Sequence, residues 1–375
     1  MKKVVIAIDS FKGCLPSVEA GKAAAEGIRS VYPECEVICL PIADGGEGML
    51  DVLIMATNGQ EVPISAHDPL MRWRNTYYGI SENGETAFIE MASISGLPLV
   101  PPERRNPMLT TTYGTGEIIR DALERGCRNF IIGIGGSATN DAGLGMLQAL
   151  GFRFSDKEGK EVGTGRGEVL IKVAHIDSTC VHPALNSCRF TVACDVQNPF
   201  YGPEGAAYVF APQKGADREM VEALDAGLQN FAEVIRHTTG KDISHQPGAG
   251  AAGGMGGSLL AFLNAELKPG IQLMLEALDF SNKIKSADLI ITGEGKADRQ
   301  TLMGKVPSGI LAEARKQNIP VILLAGNIED SDELQQAGFE GVFSVNPPFI
   351  SLEEAMRPEV ARKNIQQTVE SICKK

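Results

Sequence analysis

A chain of 375 residues, 43% hydrophobic and 22% charged, has the composition of a globular protein long enough for two domains. The formal net charge of −12 excludes a reader of the nucleic-acid backbone, whose affinity rests on clustered Lys and Arg, and makes any anion site a local exception. Glycine is in excess, with 42 residues or about 11% against a typical ~7%.

The chain begins MKKVVIAIDSFKG, with only five apolar residues (4–8) before Asp9. That is too short for a signal-peptide core or a membrane span, so no membrane partner and a cytoplasmic location are expected. The eight cysteines form no CxxC pair, and the five histidines form no HxxxH or HExxH. A structural zinc site is therefore not supported, and the thiols are expected to be reduced.

Residues 4–9 form a continuous apolar run, as in a strand covered on both faces. A helix capped at Ser17, a strand over 37–41, and a helix from the ADGGEG loop to about residue 57 follow; this alternation predicts a parallel α/β sheet. Between about 60 and 110 the character changes: short β-like runs (75–80, 86–91) alternate with turn residues and a Pro-rich connector, which predicts a domain junction. A helix over 115–125, a strand over 129–134 and a helix ending near 150 come next, then a polar irregular stretch (151–185) and a strand over 190–195. Residues 220–237 carry Val221, Leu224, Leu228, Phe231 and Ile235 on one stripe, an amphipathic helix packing on a core. After a glycine-rich loop and a helix beyond Pro269, three buried strands are predicted at 289–292, 320–324 and 341–345. These resemble the N-terminal unit more than the middle. The expected organisation is one discontinuous domain, 1–75 plus 285–375, with 76–284 inserted as a second α/β domain.

The glycine excess concentrates in five loops, 43–48, 114–116, 133–145, 248–257 and 293–304. Glycine there lets backbone N–H groups face an anion and lets a ligand approach the main chain, which favours a phosphate-bearing ligand. No GxxxxGK[ST] is present, so a P-loop nucleotide enzyme is excluded. Gly133, Gly135 and Ala138 fit GxGxxA after a strand; Gly248, Gly250 and Gly253 fit GxGxxG but follow none. Asp141, entering behind the first loop, would repel a pyrophosphate unless a cation bridged them, which favours Mg²⁺-nucleotide over NAD. DSFKG (9–13) places Ser10 and Lys12 at the end of the first strand, where ligands of open α/β sheets gather. Lys12 reads as a phosphate or carboxylate clamp, or as a solvated loop lysine. Asp44 and Glu47 could hold Mg²⁺ or grip hydroxyls, with helix capping as the alternative for Asp44. CDVQNP (194–199) sets Asp195 at a strand end as a general base or a turn former, with Asn198 before a proline. APQKGA adds Lys214, and TGEGKADRQTLMGK (292–305) adds Glu294, Lys296, Asp298, Gln300, Thr301 and Lys305.

In chain order DSFKG, ADGGEG, IEMASISGL (89–97), GTGE (114–117), GIGGSATNDAGLG (133–145), CDVQNP, FAPQKGA (210–216), PGAGAAGGMGG (247–257) and TGEGKADRQTLMGK resemble the glycerate kinase family. The resemblance spans nearly the whole chain. It implies phosphoryl transfer from ATP to D-glycerate, with Mg²⁺ as cofactor. It also implies two α/β domains, one flavodoxin-like and discontinuous with a parallel sheet, and a cleft between them. On that basis Asp195 or Asp298 is expected as the base, with Lys12 as a catalytic cation. Ser10, Asp44, Glu47, Gly135, Gly136, Ser137, Asn140, Asn198, Lys214, Gly253, Gly254, Lys296, Gln300, Thr301 and Lys305 are expected to bind substrate or phosphate. Asp141 and Glu294 are expected on the metal, with Asp44 and Glu47 as further candidates. The 2-phosphoglycerate product is favoured and the 3-isomer stays open. Two rival readings remain: an NAD-dependent 2-hydroxyacid dehydrogenase, with Asp156 the nearest ribose partner but no catalytic His, and a non-enzymatic sugar-acid binder.

Overall fold

In the computed structural model, which describes residues 1–46 and 48–374, β1 (Lys3–Ile8) is apolar and buried along almost its whole length. Both its neighbours in the sheet are parallel, β2 (Glu36–Cys39) on one side and β11 (Leu289–Ala297) on the other, and helices Ser17–Val31 and Val306–Arg315 pack against it. β12 (Val321–Ile328) and β13 (Gly341–Ser344) continue the sheet, giving the order β2-β1-β11-β12-β13. Counted within this unit the order is 2-1-3-4-5, the flavodoxin-like arrangement, whose switch point lies between β1 and β11. Helix Ser17–Val31 packs on helix Pro358–Cys373, joining the two ends of the chain on one face. Gly27 permits that approach: a Cβ there would lie 2.5 Å from the Gln366 carbonyl oxygen.

The second unit is built on a six-stranded mixed sheet. β3 (Gln60–His67), β4 (Trp73–Ile80) and β5 (Thr86–Glu90) run antiparallel in succession. β6 (Asn129–Gly133), β9 (Arg189–Ala193) and β10 (Glu266–Lys268) then continue in parallel, in the order β3-β4-β5-β6-β9-β10. β7 (Arg153–Ser155) and β8 (His175–Asp177) form a separate antiparallel pair. The rings of Phe130 and Phe190, on adjacent strands, stack 4.6 Å apart in the core. Helix Arg218–Thr239 buries the stripe read from its sequence, Val221 through Ile235, with Asp217 capping its start and Gly240 left-handed at its end.

The compact units are residues 1–44 with 271–375, and 45–270. The boundaries expected from the sequence fall elsewhere, at 75/76 and 284/285. Residues 60–67 pair with β4 along all eight positions, which carries them into the inserted unit. At the other boundary, a Cβ on Gly309 of helix Val306–Arg315 would meet Ile271 at 2.3 Å, so Ile271 is packed into the first unit. Among the described residues no helix is long and apolar enough to cross a membrane.

Candidate active site

In the first unit, the C-terminal ends of β1 and β11 bring together acids and lysines that are far apart in sequence. Asp9 follows β1 directly, and its N–H donates to Gly293 O at 2.9 Å, so the ladder itself fixes the residue. Its side chain is 7% exposed, and Oδ1 accepts the Ser10 N–H at 2.7 Å. Burial, then the neighbouring Asp44 charge, push the Asp9 carboxyl up to about 7, with Glu294 adding to the rise; the Ser10 N–H and Lys12 pull the other way. Lys12 Nζ is 3.9 Å from Asp44 Oδ2 and well exposed.

Glu294 is buried; it accepts the Thr301 hydroxyl at 2.6 Å and faces Lys305 Nζ at 3.5 Å. Burial raises its carboxyl above the ordinary range. Asp298 instead caps the turn Arg299–Leu302: it accepts the Gln300 N–H at 2.8 Å, while its own N–H donates to Thr301 Oγ1 at 2.9 Å. Lys296 sits between Asp298 (3.5 Å) and Glu329 (2.9 Å). Asp298 is thus tied into a cap and an ion pair. Asp9, Ser10, Lys12, Asp44, Glu294, Lys296 and Lys305 all line one cavity of about 340 Å³. Glu47 lies outside the described residues.

In the second unit, GIGGSATNDAGLG leaves β6 as a loop whose Gly135 and Gly136 are exposed. Lys214 lies beneath it, 2% exposed, donating to Ser137 Oγ at 2.8 Å and Thr139 O at 2.6 Å. Burial lowers its ammonium to about 7, with Asp141 opposing the fall. Asp141 is wholly buried and its carboxylate is taken up by four donors: Thr112 N–H and hydroxyl at 2.8 Å each, Gly143 N–H at 3.2 Å and Gly145 N–H at 3.3 Å. Three of these donors converge on Oδ2 and one reaches Oδ1, which is the chemistry of a loop staple. Asn140 is buried too, and its side-chain amide finds no partner among the described residues.

Gly253 and Gly254 support this loop by close packing. A Cβ on Gly253 would stand 2.1 Å from Thr139 O, and one on Gly254 would press on Leu228 and Phe200. Asn198 spans a turn, its Nδ2 donating to Glu204 O at 2.8 Å and its carbonyl accepting the Gly250 N–H at 3.0 Å. Asp195 is exposed and accepts the Gly270 N–H at 2.8 Å through Oδ1. Asparagine keeps that acceptor, so Asp195→Asn is expected to hold kcat within about tenfold of the parent; Asp195→Ala loses the cap and costs about 1 kcal/mol in a urea melt. A loss near 100-fold in the asparagine variant, the size expected of a general base, would return Asp195 to the proton transfer.

The residue that sequence reasoning left without a role is Asp9, quoted inside DSFKG but passed over for Lys12. The ribose partner of the dehydrogenase reading is a turn residue: Asp156 Oδ1 accepts the N–H groups of Glu158 and Lys160 at 3.1 and 2.9 Å. Among the described residues no group of three or more His, Cys, Asp or Glu is placed to hold a metal ion.

Residues 4–375 match the family described as "Glycerate kinase family". The chain is 48% identical to the "Glycerate 2-kinase" of Escherichia coli (strain K12) over 356 residues, covering 95% of this chain and 93% of that protein. It is 46% identical to the "Glycerate kinase" of Bacillus subtilis (strain 168) over 372 residues, covering 99% and 97%. A crystal structure from Salmonella typhimurium LT2, of a chain carrying the name glycerate kinase 2, superposes with a TM-score of 0.91 at 44% identity, covering 100% of this chain and 97% of that one.

Proposed function

Because this chain belongs to the glycerate kinase family, we propose that it transfers the γ-phosphoryl group of ATP to the 2-hydroxyl of D-glycerate, releasing ADP and 2-phospho-D-glycerate. It is an ATP-dependent kinase acting on glycerate. The name of the Escherichia coli relative supports the 2-isomer. The observation that carries the assignment of chemistry is the meeting of Asp9, Lys12, Asp44, Glu294 and Lys305 at the β1/β11 switch point.

Phosphoryl transfer needs positioning and charge neutralisation more than covalent work by the protein. Asp9 takes the proton of the attacking hydroxyl. A carboxyl held at about 7 is matched to that task near neutral pH, where an ordinary carboxylate is a weaker base. Lys12 and Lys305 supply the positive charge that a carboxylate and a phosphate need in a chain of net charge −12. Lys12 is exposed and swings from Asp44 to substrate at little cost, since pairs of this kind in solvent contribute under about 1 kcal/mol.

The crowding of acids fits a divalent cation, because its charge would offset the Asp44 and Glu294 repulsion that adds to burial in raising the Asp9 carboxyl. Mg²⁺ is commonly held by one or two carboxylates together with substrate phosphates. Asp44 and Glu294 would hold it here, and it would neutralise charge on the nucleotide's phosphates. In the second unit, the exposed backbone of Gly135 and Gly136, backed by Lys214, is a further anion-binding element. A cytoplasmic setting accompanies this reading.

Incubation with D-glycerate, MgATP and enolase, with no mutase added, tests both halves of the assignment. Enolase acts on 2-phosphoglycerate, so an immediate rise in enol absorbance is expected. ADP release without that rise would mean the 3-isomer, and no ADP at all would remove the kinase reading.

A further inference from the structure

The cavity at the β1/β11 switch point is too varied for glycerate alone. Its acids and lysines sit with an apolar portion lined by Phe11, Val345, Leu352, Ala355 and Met356. Glycerate has a carboxylate, two hydroxyls and three carbons, and offers no face to such a surface. Leu352 is 78% exposed and Met356 39%, so two large apolar side chains on the cavity lining stand partly in solvent. The space, about 340 Å³, falls within the roughly 300–1,000 Å³ of small-molecule sites, which are mostly apolar with a few fixed polar groups.

Those fixed groups are present. Gly295 and Gly326 line the cavity near the ends of β11 and β12, where a Cβ on Gly326 would stand 2.7 Å from Gly295 O, so the two strands and Phe11 close up there. Asn346 is held in place, its Nδ2 donating to Gly326 O at 2.8 Å and its Oδ1 accepting from Asn364 at 3.1 Å. Asn327 lies on the same lining. A flat apolar ring with polar edges, joined to an anionic chain, satisfies both portions of this surface at once.

We propose that this cavity seats the nucleoside end of ATP. The base lies against Phe11, Leu352 and Met356 within reach of the Asn327 and Asn346 amides, and the phosphates lead toward Lys12 and Lys305. The proposal rests on the kinase reading and adds to it the place of the nucleotide.

Two experiments decide it. Leu352→Ser and Met356→Ser remove apolar surface from exposed positions, so the fold is not at stake. The double variant is expected to raise KM for ATP about tenfold, the loss of roughly two buried methylene equivalents, and to leave KM for glycerate within twofold. An unchanged KM for ATP, or a rise confined to glycerate, overturns the proposal. The second readout needs no turnover. Trp73 is the only tryptophan and is exposed, so Leu352→Trp in a Trp73→Phe background places a single fluorophore at the cavity. Titration with ADP is expected to change its emission saturably, and D-glycerate alone to leave it unchanged; the reverse pattern overturns the assignment. If the parent protein releases no ADP from glycerate and ATP, the kinase reading fails, and the ADP titration still decides the nucleotide site.

Discussion

Asp9→Asn is expected to lower kcat by about 100- to 10,000-fold while making the ligand-free protein more stable at neutral pH and above. Both effects come from one carboxyl. In the fold it is held at about 7 against an ordinary 3.8, because burial and the charges of Asp44 and Glu294 disfavour its ionised form. A raised folded value means that the native state keeps this proton more tightly than the unfolded chain does. The stability it contributes is therefore complete below pH about 4, shrinks as the pH climbs, and is gone once the folded value near 7 is passed. Across that window the parent loses up to about 4 kcal/mol through this group. Asparagine carries no charge to bury, and its Oδ1 still accepts the Ser10 N–H, so the variant escapes the loss. The measurement is denaturant unfolding in EDTA from pH 4 to 8, paired with kcat at saturating substrates. Turnover within threefold of the parent, or stability–pH curves of equal slope, would sink the role given to Asp9. An active-site group whose removal stabilises the fold is the expected signature of a charge kept for catalysis.

The polar residues of this site were legible in the sequence as a set, but their individual roles were not. The run VVIAID announced a buried parallel strand, and the rule that ligands gather at such strand ends pointed to residues 9–13. What separates Asp9 from Asp195 and Asp298 is environment: one is buried beside two other acids, one is exposed on the Gly270 N–H, and one caps a turn. Burial and proximity between residues 9, 44 and 294 depend on β1 pairing with β11, about 285 positions away, which no local pattern encodes. The cap at Asp298 was readable, since an acid three places before Thr301 is a helix-start signal, but the density of charge around it drew the functional reading. β3 was hidden for a different reason: its burial alternates imperfectly and Pro63 interrupts it, so residues 60–67 looked like a junction. The same oversight displaced the domain boundary. Lys214 and Asp141 show the general limit: a sequence displays charges, and only packing shows that these two are buried.

That burial makes Asp141→Ala the substitution with the largest expected cost to stability. The carboxylate is the acceptor for the backbone N–H groups of Thr112, Gly143 and Gly145 and for the Thr112 hydroxyl. Thr112 Oγ1 in turn accepts the Met146 N–H at 2.9 Å, so one side chain organises the entry to helix Leu144–Ala149. The backbone around the carboxylate is closely packed, since a Cβ on Gly145 would stand 2.1 Å from Thr111 Oγ1. Alanine strands several buried donors, each at about 1–3 kcal/mol, and leaves Lys214 buried without the negative charge that now opposes its deprotonation. A loss of about 4 kcal/mol or more is expected in urea unfolding of the ligand-free protein in EDTA, with the Lys214 ammonium driven still lower than about 7. Asp141→Asn offers only one oxygen and turns an amide toward donors, so it is expected to fall between the two. The alternative is sharply different. A carboxylate kept to bind Mg²⁺ would leave the metal-free protein as stable as its parent when removed, and would shift only the Mg²⁺ dependence of turnover. Equal unfolding midpoints in EDTA would restore Asp141 to the metal, and a large drop there fixes it as the staple that shapes the loop over Lys214.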